Sequence, residues 1–252
     1  MAPDPKLHSD RRTASQAGPF HLPADSAVRF WKPHLLLWSL AFVVLALDLW
    51  SKAWAMGALP VADPDPPTLL FGRISLQRSL NAGALFGLGQ GMSALFIAAS
   101  LLALLFVLYL FASSSRRQWV MHVALGFILA GALGNLYDRT WCTADVVTFR
   151  QSRAQEIAAV VGDRNADPVL LRPWGTEADP VETPQSEILS IRTQGVVRDF
   201  LRFEPVFGID FWRWVFNVAD VALTIGVAAL LLQFWSDRKS AAARPDTVVD
   251  QA

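Results

Sequence analysis

Four stretches, 34–55, 91–112, 118–137 and 214–235, together hold 86 residues and only three of the chain's 44 Asp, Glu, Lys and Arg side chains. Each is about 20 residues long, and at 1.5 Å of rise per residue a helix of that length matches a hydrocarbon core of roughly 30 Å. Four membrane-spanning helices are the economical reading, and a single water-soluble core is excluded. The remaining 41 charges fall among 166 residues, the density of a soluble protein. The expected fold class is an all-α integral membrane protein with four transmembrane helices. A small extracytoplasmic β-rich segment and a loop insertion are expected beside them.

Orientation follows from the basic residues next to the spans. Arg29 and Lys32 precede the first, Arg116 and Arg117 fill the short link between the second and third, and Arg238 and Lys239 follow the fourth. By the positive-inside rule these connections and both termini are cytoplasmic, which leaves 58–90 and 138–213 outside. Seven of the ten tryptophans lie near proposed span ends, as an interfacial belt requires. Residues 1–32 and 236–252 read as disordered cytoplasmic tails around a membrane domain at 33–235. Outside the spans, Asp63–Pro67 marks a turn, Leu69 to Leu80 suits short strands, 154–161 suits a short helix and 186–197 a strand. In the third span Gly126, Ala130 and Gly134 form a small-residue stripe suited to close helix packing.

Several classes of function lose support. The net charge is zero, so nothing suggests nucleic acid as a partner. Cys142 stands alone and cannot form an intrachain disulfide, and no metal-ligand spacing occurs, so neither a metal nor another cofactor is expected.

An ionisable group within a span is costly and is by default a functional candidate. Asp48 and Lys52, four apart, share a face near the outer end of the first span and suit either a structural ion pair or a catalytic role. Asp220 reads as lying two turns into the fourth span, with Asn217 three residues earlier on the same face. Asn81 stands at the outer entry to the second span, and Asn135, Asp138 and Arg139 at the outer end of the third. All four helices thus gather polar groups at one membrane face, which points to a shared polar site just below the outer surface.

These same residues carry a family resemblance. Leu47-Asp48 with Lys52, Asn81-Ala82-Gly83-Ala84-Leu85-Phe86-Gly87, Gly134-Asn135-Leu136-Tyr137-Asp138-Arg139, Val197-Arg198-Asp199-Phe200 and Phe216-Asn217-Val218-Ala219-Asp220 occur in the order found in lipoprotein signal peptidases, also called signal peptidases II. The chain resembles that family over roughly 34–139 and 196–235. The resemblance implies an aspartic endopeptidase of the bacterial inner membrane, with its active site towards the periplasmic face. Its substrates would be prolipoproteins bearing a diacylglyceryl-modified cysteine, cut on the amino side of that cysteine, with membrane lipid as a further partner. Asp199 and Asp220 match the two catalytic aspartates, while Asn81, Asn135, Arg139 and Asn217, with Asp48, Lys52 and Asp138, would line or brace the site. Two carboxylates about 3 Å apart cannot both ionise, so one could hold a proton while the other accepts one from water.

The chain departs from the family at one place: about 60 residues separate Arg139 from Asp199, where a short loop is expected. Asp145 in Ala144-Asp145-Val146-Val147 lies closer to the expected spacing but lacks the following Phe, so Asp199 is preferred and 140–195 reads as an insertion on the outer surface. Two other classes remain for comparison. A small transporter or proton relay would carry polar residues through the full membrane depth, and a membrane-anchored scaffold would use the outer segment 140–213 as its working part.

Overall fold

The computed structural model describes residues 22–59, 65–83, 93–150, 156–174, 179–212 and 214–242. Four helices form the membrane part: α1 (Trp31–Ala58), α2 (Ser93–Ser113), α3 (Trp119–Trp141) and α4 (Val218–Ala242). All four are long and apolar enough to cross a membrane. Helix α3 is the central one: its crossing window is 61% buried, against 22% or less in the other three, and it packs on each of them.

The small residues of α3 explain that position. Leu37 O of α1 lies 3.2 Å from where a Cβ of Gly126 would stand, and Ala219 O of α4 lies 2.5 Å from that of Gly131. A Cβ on Gly134 would collide with the carboxylate of Asp48. Bare backbone therefore lets α1 and α4 approach opposite sides of one helix, as small-residue stripes do in lipid. Leu37, Ala41, Val107, Ala124, Leu125, Leu129 and Ala222 fill the buried seams.

The all-α expectation is corrected by the segments between the spans. Among the described residues they form nine strands in two antiparallel sheets, so the protein is of mixed α/β class. The first sheet has the order β1-β2-β8-β9, made by β1 (Thr68–Leu69), β2 (Ile74–Asn81), β8 (Val197–Phe203) and β9 (Val215–Phe216). It sits on the end of α1, where Leu76 and Phe200 pack with Ala55 and Leu59. Strands were expected between Leu69 and Leu80, and they occur there.

The second sheet, of order β6-β5-β4-β3-β7, comprises β3 (Thr143–Phe149), β4 (Glu156–Val161), β5 (Val169–Pro173), β6 (Val181–Thr183) and β7 (Ile188–Gly195). What reads in sequence as a loop insertion is thus a folded sheet. The helix expected at 154–161 is strand β4 over its described part. Ile157, Ala159 and Val161 alternate with Ala158 and Val160, and the ladder to β3 and β5 on either side overrides the helical preference of the alanines. Both faces are apolar: Val147, Ala159, Val169, Leu171 and Ile188 pack on one, and Ala144 and Val146 meet Val196 and Leu80 on the other.

At the chain ends, residues 1–21 and 243–252 of the two expected tails lie outside the described residues, as do Ala84 to Gly87 of the second motif. The fourth helix continues past Trp235 to Ala242. Before α1, Ala27 N donates to Ser114 O at 2.8 Å and Arg116 N to Asp25 O at 2.9 Å, which ties 25–27 to the link between α2 and α3.

Candidate active site

The start of α4 organises the site. The helix begins at Val218, so Asp220 lies in its first turn, not two turns in; Val215 and Phe216 pair with β8 and delay the helix. Asn217 then precedes the first helical residue. Its Oδ1 accepts the Asp220 backbone N–H at 3.0 Å, and Asp220 Oδ2 accepts the Asn217 backbone N–H at 3.1 Å. This is a reciprocal capping box, in which two otherwise unpaired backbone donors are satisfied. A third donor, Ala219 N–H, goes to Asp48 Oδ1 at 2.8 Å. Asp48 thus joins α1 to the positive end of the α4 dipole.

Asp199 arrives on β8, whose pairing with β2 aligns Asp199 with Ser79 and Val197 with Asn81. Its side chain is 1% exposed and accepts two hydrogen bonds, from Asn217 Nδ2 at 2.6 Å and Asn81 Nδ2 at 3.1 Å. Asn81 is itself fixed, because its Oδ1 accepts the Gly83 N–H at 3.0 Å. Burial, and then the neighbouring charge of Asp220, push the Asp199 carboxyl well above the usual carboxylate range.

Asn135 of α3 joins the second aspartate to the ionic groups beneath. It donates to Asp220 Oδ1 at 2.8 Å and accepts from Lys52 Nζ at 3.1 Å and Asn217 Nδ2 at 3.2 Å. Lys52 lies 2.8 Å from Asp48 and 3.3 Å from Asp138, and all three are fully buried. Asp138 Oδ1 also accepts Arg198 Nη2 at 2.6 Å and Nε at 3.1 Å, while its Oδ2 accepts the Arg198 backbone N–H at 3.0 Å. Two acids and two cations form a neutral network, buried except at its last member, the partly exposed Arg198, which is the chain neighbour of Asp199.

Arg139 borders a cavity of about 300 Å³ lined also by Asn81, Gly83, Phe96, Asn135, Asp220 and Leu223. Its Nη2 donates to Gly83 O at 2.6 Å and its guanidinium lies over the Phe96 ring at 4.6 Å. Its buried Nη1 has no hydrogen-bond partner among the described residues.

All nine site residues expected from sequence therefore meet in one place. Asp145 does not: it sits on β3, where Arg164 Nη2 and Thr193 Oγ1 each reach its Oδ1 at 2.6 Å. Sequence reasoning named Arg198 and Gly83 only as members of motifs and passed over Phe96. Charge balance held a signal for the first, because Asp48 and Asp138 near one lysine leave a buried acid in need of a second cation. Nothing local marked the Gly83 carbonyl or the Phe96 ring.

Comparison with known proteins identifies the family. Residues 40–236 match the sequence model of the family described as signal peptidase (SPase) II. A lipoprotein signal peptidase of Desulfitobacterium hafniense is 28% identical over 206 residues, covering 81% of this chain and 97% of that protein. One from Rhodopirellula baltica is 29% identical over 225 residues, covering 88% and 77%. A bacterial membrane enzyme solved by the in meso method has a similar fold, with a TM-score of 0.54 at 20% identity over 82% of this chain and 91% of that one. With a family match across most of its length, the chain belongs to the signal peptidase II family of membrane peptidases.

Proposed function

We propose that the chain is an aspartic endopeptidase that removes the signal peptide from prolipoproteins carrying a diacylglyceryl-modified cysteine, cutting on the amino side of that cysteine. The observation that carries this reading is the joint hold of Asn217 on Asp199 and Asp220, at 2.6 Å and 3.1 Å. Two carboxyl groups held around one asparagine, one of them buried and raised, can share a proton. The protonated one donates to the scissile carbonyl oxygen and the ionised one takes a proton from the attacking water; collapse of the resulting tetrahedral species transfers a proton to the leaving amine. Arg139 Nη1, buried and unpartnered among the described residues, supplies a donor for a substrate carbonyl beside Asp220.

The place of the site supports this substrate class. Its polar groups sit at the ends of apolar helices, so a signal peptide can stay in lipid while its end reaches the carboxyl pair. Acyl chains on the modified cysteine would lie against apolar helix faces, worth about 0.8 kcal/mol per buried CH₂. The basic links favour an orientation with this end at the periplasmic face of the inner membrane.

A transporter or proton relay is disfavoured, because Val123 to Gly134 of the central helix α3 contains no polar side chain. The test is cleavage by the purified protein of one prolipoprotein with and without the diacylglyceryl group. The expected result is cleavage of the modified precursor alone. Equal cleavage of both would make the chain an ordinary membrane protease.

A further inference from the structure

Two turns of the four-stranded sheet share an unusual feature. In each, a phenylalanine stands directly before a glycine and both adopt the left-handed conformation: Phe71 at φ 57° with Gly72 at 79°, and Phe207 at φ 52° with Gly208 at 77°. Leu70, at φ 49°, makes a third left-handed residue in the first turn. The second turn is closed by paired hydrogen bonds between Val206 and Ile209, at 3.1 Å and 3.0 Å. Such a two-residue turn favours Asn-Gly, since glycine and asparagine tolerate positive φ and a phenylalanine does not. The two phenylalanines gain no packing for this: Phe71 is 105% exposed and Phe207 96%. Leu70, Ile209 and Phe211 beside them are exposed as well.

The turns are neighbours. Ile74, just after the first, pairs with Phe203, just before the second, and Glu204 N donates to Arg73 O at 2.9 Å between them. Both therefore project from one end of the sheet as a single apolar patch. Exposed apolar patches of this kind mark contact with a partner or a membrane.

The position of the sheet selects the membrane. Leu76 and Phe200, in mid-sheet, pack on Ala55 and Leu59 at the end of α1, and Arg78 Nη1 donates to Met56 O at 2.7 Å. Trp50 and Trp54, exposed on the last turns of α1, mark the interfacial level just beneath. Three residues of strand, about 10 Å, lead from Phe200 at this level to Phe203, from which the two neighbouring turns set out. Exposed Arg73 between the tips adds a cation where lipid phosphates lie.

We propose that the Phe71–Gly72 and Phe207–Gly208 turns are a paired membrane anchor that inserts into the leaflet on the sheet's side of the bilayer. Insertion gives the apolar tips the burial the protein itself denies them. It also holds the sheet that carries Asp199 at a fixed height over the start of α4.

Nitroxide labels at Phe71→Cys or Phe207→Cys, in a Cys142→Ser background and in nanodiscs of phosphatidylethanolamine and phosphatidylglycerol, test this. Leu189→Cys on β7, also exposed, is the control in the other sheet. All labelled sites are on the surface, and circular dichroism of each variant checks the fold. The expected result is an accessibility to oxygen, relative to a water-soluble nickel chelate, several-fold higher at 71 and 207 than at 189. Equal ratios at the three sites would overturn the anchor. So would spin–spin broadening at 71 and 207 that appears only in discs with two copies, since the patch would then bind a second copy of the chain.

Discussion

Asn217 donates its side-chain amide to Asp199 at 2.6 Å, and with the rest of the same residue it caps the helix that carries Asp220. One asparagine thus sets the separation of two carboxyl groups from different elements, and its two duties can be divided. Asn217→Ser keeps an oxygen for the cap and loses the donor to Asp199, so stability falls by a few tenths of a kcal/mol while cleavage falls steeply. Asn217→Ala loses both, with an additional cost of about 1 kcal/mol in stability. Thermal melts beside initial cleavage rates check this, and a Ser variant with full activity would remove Asn217 from the site.

Lys52 is the cation between two fully buried acids, Asp48 and Asp138. Removing one member of such a pair leaves uncompensated charge, and Lys52→Met is expected to cost about 3–5 kcal/mol. Arg198→Met, which spares the backbone hydrogen bond to Asp138, should cost about 2 kcal/mol. Arg198→Lys should recover part of that, because it restores the charge without the planar fork. Chemical denaturation of the detergent-solubilised variants measures all three.

Burial, followed by the charge of Asp220, raises the Asp199 carboxyl, and the sign of the resulting pH dependence is fixed. A carboxyl raised by folding contributes stability below its ordinary value that is lost as pH rises through the raised one. Asp199→Asn is neutral at every pH, so its melting temperature should exceed that of the wild type by a margin that grows towards alkaline pH. A margin constant from pH 4 to pH 9 would mean that Asp199 is not held protonated.

The five-stranded sheet has its own apolar core and leaves the site at β3 and β7. Joining Phe149 to Ile188 by a two-residue Asn-Gly turn retains the β3–β7 hairpin, and with it Gly195, whose Cα lies against the backbone carbonyl of Arg139. Cleavage of a lipid-modified precursor is expected to persist in this variant. Loss of all activity in a folded, membrane-inserted protein would assign the sheet a part in binding substrate.

The helices were legible in sequence because lipid leaves a strong compositional trace: each span needs about 20 apolar residues, whatever its neighbours. The sheets were not, because their signal is a period of two shared between distant segments. Ile157 and Ala159 read as strand only beside β3 and β5. Asp220 was legible as a costly buried acid, but its place in the first turn depended on Val215 and Phe216 pairing with β8. Arg198 was hidden in plain view, since a basic residue on an outer strand looks solvated until Asp138 is found beneath it.

The central claim is that Asp199 and Asp220 act as one unit, and initial cleavage rates of a diacylglyceryl-modified prolipoprotein by single variants test it most directly. Asp199→Asn and Asp220→Asn should each abolish cleavage, with the double variant no worse than either, because a shared proton needs both carboxyls. Asp145→Asn should retain most activity, since Asp145 pairs with Arg164 on the other sheet. An active Asp199→Asn variant together with an inactive Asp145→Asn variant would contradict the account.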